Sequence, residues 1–420
     1  MFNINKFFEK RSIARTNLNE FAKLLEKLDN PQNAFRSIQV VGTNGKGSTC
    51  HFLSSILKEN GFSVGLFTSP ALIKVNERFL INGNEVDDAD LIEAAKKVES
   101  VQGNLKLTAF DLMCATAFLL FKEKEVDYAV LETGLGGRLD PTNIVESELS
   151  IFTPISLDHT EILGNTVQAI AKEKSETIKL SQKKVIIGYQ KKSVMNILKK
   201  KCHQVGVEYV ALEDGIIALN YCDQYLQEFL FRYEDGPTYF LVTSMLGSHQ
   251  QENACTALLA ARELGCDAVA IREGIAKTKL KARMEIFEGS PDVIIDGAHN
   301  PNAIENLVKN IKEYFPNRKG ILITSIMKEK DLQGIIKKVK PVIDYCFAVR
   351  FNERGYEEEE IIKAANDNKI DGEISRSFQN AFVKSLILSD ERIEKDYFVL
   401  VTGSLYLAGA FRKFLLEDGE

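Results

Sequence analysis

Residues 42–49 read GTNGKGST, and they lie between two contrasting runs. Ahead of them Ser37-Ile38-Gln39-Val40-Val41 is short and apolar, as a buried strand is; behind them Cys50 to Lys58 has the character of a helix. Strand, glycine loop, helix is the order that cradles a phosphate. The glycines let backbone N–H groups turn toward one anion, and the helix N-terminus adds positive potential. Lys46 supplies a point charge that can reach the terminal phosphates, and a hydroxyl from Ser48 or Thr49 can approach a bound cation. The spacing departs from GxxxxGK[ST]: only Thr43 and Asn44 separate Gly42 from Gly45, and Gly47 stands between Lys46 and Ser48. A plain Gly-rich turn is the competing reading, and a lysine in this strand–helix context argues against it.

The chain around this loop is 420 residues long, which favours two domains over one core. It is 45% hydrophobic and 27% charged, ordinary for a globular protein, and its net charge of −6 disfavours a nucleic-acid-binding surface. The seven cysteines are scattered without a CxxC pair, which points to reduced structural thiols and a cytoplasmic location. Residues 1–12 carry no apolar h-region and no later run approaches a membrane span, so no membrane partner is expected.

Read in order, the pattern predicts helices over 21–28 and 50–58, a strand over 63–67 and a turn at Asn82-Gly83. Helices follow near 90–99 and over 110–122, then continuous apolar strands at 127–131 and 149–155, the mark of central parallel strands. Three strand ends thus run into polar, glycine-bearing loops: GTNGKGST, ETGLGGRLDPTN and SLDHTEILG. That is where an open α/β sheet binds its ligand. Residues 183–245 read as a β-rich antiparallel excursion, and a helix follows over 252–264. Beyond the turn-forming cluster 288–292, strands and helices alternate to the end. This predicts an α/β protein with a P-loop-type parallel-sheet domain over 1–288 and a smaller α/β domain over 289–420.

Several side chains stand where chemistry is expected. Glu132 and Asp140 flank the second glycine loop, where a carboxylate can hold Mg²⁺ against phosphates; a capping acid is the bland alternative. His159 lies beside Asp158 and Glu161 in a further candidate cation site, and Asp296 and His299 close the first strand of the second domain. Lys174, within the lysine-rich run 172–201, reads by composition as part of a solvated helix face.

Taken together, GTNGKGST, TSP with NERFLING, ETGLGGRLDPTN, LDHTEILG, DGAHNP and TGSLYLAG resemble the folylpolyglutamate synthase/dihydrofolate synthase family of Mur-type ligases. The likeness runs over roughly residues 15–410. It implies a P-loop ATPase domain followed by a Rossmann-like domain, and an ATP-dependent enzyme joining a pteroate or folate carboxylate to L-glutamate. By position, Thr43, Asn44, Gly45, Lys46, Gly47 and Ser48 resemble the ATP phosphate contacts, with Asn253, Arg283 and Asp296 as further nucleotide contacts. Ser69 and Glu132 are similar to the ligands of one Mg²⁺; His159 and a carbamylated Lys174 resemble those of a second. Thr108, Ala109, Phe110 and Asp111, with Leu139, Asp140 and Pro141, occupy pterin-contact positions. Lys46, Glu132, His159, Lys174 and His299 form the implied catalytic set. A monomer is expected.

The chain departs from the family at Ala71, at Ala109 and Asp111, at Ser175-Glu176-Thr177, and at Lys281-Ala282. The ATP and metal positions are kept, while the pterin segment carries some of the changes. Two rivals remain at this stage: another Mur-type amino-acid ligase, and a P-loop ATPase without ligase activity.

Overall fold

The computed structural model describes residues 2–8, 16–234, 236–351, 353–391 and 396–417. The reading of residues 1–12 therefore lies partly outside the described residues. The chain forms two compact units: one of Met1–Asn220, Glu228–Thr243 and His249–Thr278, the other of Tyr221–Gln227, Ser244–Ser248 and Lys279–Glu420.

Eight strands build the main sheet of the first unit: β1 (Arg36–Val41), β2 (Val64–Phe67), β3 (Phe79–Ile81), β4 (Asn84–Glu85), β5 (Tyr128–Glu132), β6 (Leu149–Phe152), β7 (Lys184–Ile187) and β8 (Tyr209–Ala211). Their order is β4-β3-β2-β5-β1-β6-β7-β8, and only β3 and β4 run antiparallel to their neighbours. β1 lies between β5 and β6, with Val40 opposite Glu132 and Val41 opposite Phe152. The loops after these three strands are therefore neighbours at one sheet edge, where the strand order reverses.

β5 and β6 are buried at every residue and β1 at all but Arg36, which is why they read as unbroken apolar runs. The helix Ala109–Glu123 packs over one face with Phe118, Leu120 and Phe121 fully buried. Truncating a ring such as Phe118 to Ala would cost about 3–5 kcal/mol.

Residues 183–245 differ from the sequence expectation. VIIGY and VEYVAL are β7 and β8, parallel extensions of the main sheet joined by the helix Lys192–Val205. That helix was hidden by its lysines, yet it buries Val194, Met195, Leu198 and Cys202 along one stripe. Only β9 (Gly215–Cys222), β10 (Gln227–Tyr233) and β11 (Thr238–Thr243) form a separate sheet.

The second unit carries β12 (Glu285–Phe287), β13 (Asp292–Ile295), β14 (Lys319–Thr324), β15 (Ile343–Val349), β16 (Asp371–Ser375) and β17 (Tyr397–Thr402), ordered β12-β13-β17-β14-β15-β16. Five strands are parallel and β12 alone is antiparallel, so this sheet begins before residue 288. β12, only three residues long and half-buried, and polar β16 lacked the apolar runs that exposed the rest. None of the seven cysteines forms a disulfide. Among the described residues no helix is long and apolar enough to cross a membrane.

Candidate active site

The phosphate loop turns on Gly45, which precedes the helix Lys46–Glu59 with φ 82° and ψ −7°. A Cβ is disfavoured in that left-handed backbone, and here it would also stand 2.4 Å from Asn253 Oδ1. The contact brings Asn253, on the helix Ser248–Glu263, against the loop. Thr43 and Asn44 donate their N–H groups to the Pro154 carbonyl at 3.0 and 3.3 Å. Thr43 Oγ1 donates to the Ser156 carbonyl and accepts from the Ser156 N–H, both at 3.1 Å. The segment after β6 thus holds one side of the loop. The N–H groups of the helix's first turn, starting at Lys46, have no intrahelical acceptor and suit an anion.

Lys46 Nζ donates to the Thr43 carbonyl at 3.1 Å and lies 4.0 Å from Glu132 Oε1. Glu132, the last residue of β5, is buried, and its Oε2 accepts the Ser69 N–H at 2.9 Å. Register places these groups together, because Val40 of β1 pairs with Glu132 and the loop follows one residue beyond Val41. Of the two hydroxyls considered for a cation, Thr49 Oγ1 is buried without a hydrogen-bond partner among the described residues. Leaving such a group unpaired costs about 1–3 kcal/mol.

Lys174 corrects the compositional reading: it is 4% exposed, not part of a solvated face. It lies near the end of the helix Val167–Ser175, and its Nζ donates to the Gly136 carbonyl at 3.2 Å. The ETGLGG loop approaches so closely that a Cβ on Gly137 would be 2.8 Å from Lys174 Cα. Burial, then the nearby Lys46 charge, lowers the Lys174 pKa to about 7, although Asp140, Asp158 and Glu173 oppose this. The shift favours the unprotonated amine over what an exposed lysine would show.

Asp140 takes the turn-forming role. Its Oδ2 accepts from the Gly134 and Leu135 N–H groups, both at 2.9 Å, and its Oδ1 from Thr142 N and Oγ1 at 3.0 and 2.6 Å. Burial raises its pKa while these bonds work against the rise. Leu139 and Pro141 flank it on the same loop. Thr108 and Asp111 form a reciprocal capping box at the start of the helix Ala109–Glu123. Phe110, next to Ala109, stands over Gly134, where a Cβ would meet its Cζ at 2.6 Å, and packs on Phe67 at 5.5 Å between ring centroids. The structure thus brings the 108–111 turn to the ETGLGG loop.

His159 is exposed, has φ 48° and precedes the short helix Thr160–Leu163; its N–H donates to Asp158 Oδ1 at 2.9 Å. Among the described residues no three or more His, Cys, Asp or Glu side chains gather into a metal-binding group.

In the second unit, Asp296 Oδ2 accepts from Met284 N at 2.7 Å and Oδ1 from Ala298 N at 2.8 Å. Burial raises its pKa and the Arg283 charge partly offsets that. His299 Nδ1 lies 3.0 Å from the Gly297 carbonyl, which can only accept, so Nδ1 carries a proton. Asn300 caps the helix Pro301–Tyr314 through Ala303 N. Sequence reasoning missed Ser156, the first polar residue past Pro154, and offered Thr49 only as one of two hydroxyls.

Residues 40–261 match the Mur ligase middle domain, and residues 282–405 match the Mur ligase glutamate ligase domain. The dihydrofolate synthase/folylpolyglutamate synthase of Bacillus subtilis (strain 168) is 32% identical over 95% of this chain and 94% of its own. The chain belongs to the dihydrofolate synthase/folylpolyglutamate synthase family of Mur ligases. The enzyme of the same description from Escherichia coli (strain K12) is 33% identical over 87% of this chain and 83% of its own. Among solved structures, Mycobacterium tuberculosis folylpolyglutamate synthase complexed with ADP and AMPPCP superposes with a TM-score of 0.89 at 26% identity, covering 95% of both chains. E. coli FolC in complex with DHPP and ADP gives 0.87 at 27% identity over 99% of this chain and 97% of that one. Membership makes this chain an ATP-dependent ligase that forms amide bonds, which removes the non-ligase ATPase reading.

Proposed function

We propose that this enzyme adds L-glutamate to dihydropteroate and/or a reduced folate through an acyl phosphate. The observation that carries the reading is the joining of a phosphate loop, Lys46 and buried Glu132 at the edge where the 108–111 turn meets the ETGLGG loop. Likeness to relatives that bear both activities in their names, and to an FPGS in an AMPPCP–folate complex (TM-score 0.84, 28% identity), supports the substrate class.

A carboxylate is a poor acyl donor. One of its oxygens attacks the γ-phosphorus of ATP, a P–O bond forms, the bond to the bridging oxygen breaks, and ADP leaves. Lys46 and the first-turn N–H groups offset the charge that gathers on the phosphates. The glutamate amine then attacks the acyl carbon, loses a proton, and inorganic phosphate departs as the amide forms. His299, whose Nδ1 lies 3.0 Å from the Gly297 carbonyl, is read as a further member of the catalytic set.

Hard oxygen donors fit Mg²⁺, which is commonly bound through one or two carboxylates plus phosphates rather than in a protein cage. Glu132 and Ser69 would hold one ion, and His159 with a carbamylated Lys174 a second. When bound, Mg²⁺ would neutralise phosphate charge and polarise the transferring group. Lys174 suits carbamylation: burial and the Lys46 charge favour its unprotonated amine, which can add CO₂ with release of a proton to give a carbamate anion that Lys46 attracts. Asn253, Arg283 and Asp296 are read as nucleotide contacts, and 108–111 with 139–141 as pterin contacts. The protein acts as a cytoplasmic monomer in this reading.

An acceptor panel tests the substrate class. Amide formation, followed by mass spectrometry, is expected with dihydropteroate or tetrahydrofolate plus L-glutamate. Product only from a UDP-muramoyl acceptor would replace this reading with another Mur-type ligase.

A further inference from the structure

Arg283 is flanked by two non-glycine residues in left-handed backbone, Ala282 at φ 52° and Met284 at φ 47°. Both are buried, so the turn cannot relax by swinging into solvent. Such a conformation persists only where the surroundings over-determine it. Here the restraints come from two carboxylates and one carbonyl. Ala282 N donates to Glu285 Oε2 at 2.9 Å, Met284 N donates to Asp296 Oδ2 at 2.7 Å, and the Ala282 carbonyl accepts from Gly297 N at 3.0 Å.

Glu285 is itself held. Arg412, on the helix Leu405–Glu417, places Nε 2.9 Å from both Glu285 oxygens, and both side chains are more than three-quarters buried (19% and 24% exposed). The same helix begins with Leu405, whose Cδ1 would lie 2.1 Å from a Cβ on Gly297, a point only 2.8 Å from Arg283 Nη1. One helix thus braces the turn through Arg412 and walls the arginine through Leu405.

We propose that Arg412 and Glu285 are positioning residues that keep the strained 282–284 turn in the conformation presenting Arg283 to the nucleotide. Without Arg412 the carboxylate loses its charged partner, Ala282 N loses a fixed acceptor, and Ala282 returns toward negative φ, carrying Arg283 away. This rests on reading Arg283 as a nucleotide contact.

The test measures kcat, KM for ATP and KM for L-glutamate, with melting temperature, in full-length Arg412→Ala, Arg283→Ala and the double variant Ala282→Gly/Arg412→Ala. Arg412→Ala is expected to raise KM for ATP about fivefold while KM for glutamate moves less than about twofold. Glycine holds positive φ without a brace, so the double variant should recover most of the ATP affinity. A silent Arg412→Ala beside an impaired Arg283→Ala would overturn the brace alone. Joint shifts in both KM values and in melting, with no recovery by Ala282→Gly, would reduce Arg412 to packing and overturn it too. Arg283→Ala with an unchanged KM for ATP would remove the nucleotide contact and the brace's purpose together. Should Arg412→Ala not fold, Glu285→Gln, which keeps an acceptor for Ala282 but gives up the charge pair, carries the same comparison.

Discussion

The phosphate loop and the Arg283 turn both pass through left-handed backbone, and they stabilise it in opposite ways. At Gly45 the residue type solves the problem, because a glycine at φ 82° has no Cβ to crowd the next carbonyl or Asn253. At Ala282 and Met284 the residue types oppose the conformation, and two carboxylates hold it instead. The first arrangement is local and survives in a short motif. The second needs contributions from β12, the end of β13 and the last helix.

The largest effects are expected at the phosphate loop itself. Lys46→Ala and Glu132→Ala should each lower kcat by at least about a hundredfold without unfolding the protein, since the first removes a positive charge that offsets the transferring phosphoryl group and the second removes the carboxylate that would hold Mg²⁺ against it. Steady-state rates and circular dichroism check this, and near-wild-type turnover in either variant would detach the loop from the chemistry. Gly45→Ala comes next. The left-handed φ and the 2.4 Å approach to Asn253 Oδ1 act together, so a loss of roughly 1–3 kcal/mol in stability is expected, read by chemical denaturation.

Lys174 should reveal itself through pH. Its folded pKa of about 7 lies below the ordinary 10.5. Across that window the unfolded chain holds a proton that the folded chain lacks, so folding stability should rise as pH goes from 7 toward 10.5. In CO₂-free buffer Lys174→Met should flatten that slope, and an unchanged slope would show that the amine is not held neutral. Lys174→Ala should also lose activity that short-chain carboxylic acids partly restore. The smallest effect belongs to the Arg283 turn: Ala282→Gly in the otherwise native chain should stabilise by less than about 1 kcal/mol, relief of strain being partly offset by a freer unfolded chain. Destabilisation beyond that would mean Ala282 is not strained.

What the sequence disclosed follows the same divide. β1, β5 and β6 are buried on both faces, so their apolar runs marked the sheet and the loops that end it. GTNGKGST was readable because loop, lysine and helix are contiguous. Lys174 was not, because its burial comes from the ETGLGG loop folding onto it from far along the chain, while its neighbours remain a run of lysines. The helix Lys192–Val205 was masked by the same bias, its four buried residues diluted by charge. β12 and β16 lack fully buried strands' composition, and the Arg412–Glu285 pair spans 127 residues that no local pattern connects.

In the proposed reaction the acceptor carboxylate takes the γ-phosphoryl group before the amide forms. Dihydropteroate or tetrahydrofolate labelled with ¹⁸O in the reacting carboxylate, turned over with ATP and L-glutamate, tests it directly by mass spectrometry of the released phosphate. One labelled oxygen is expected in the phosphate for each amide made. Amide formation with unlabelled phosphate would contradict it.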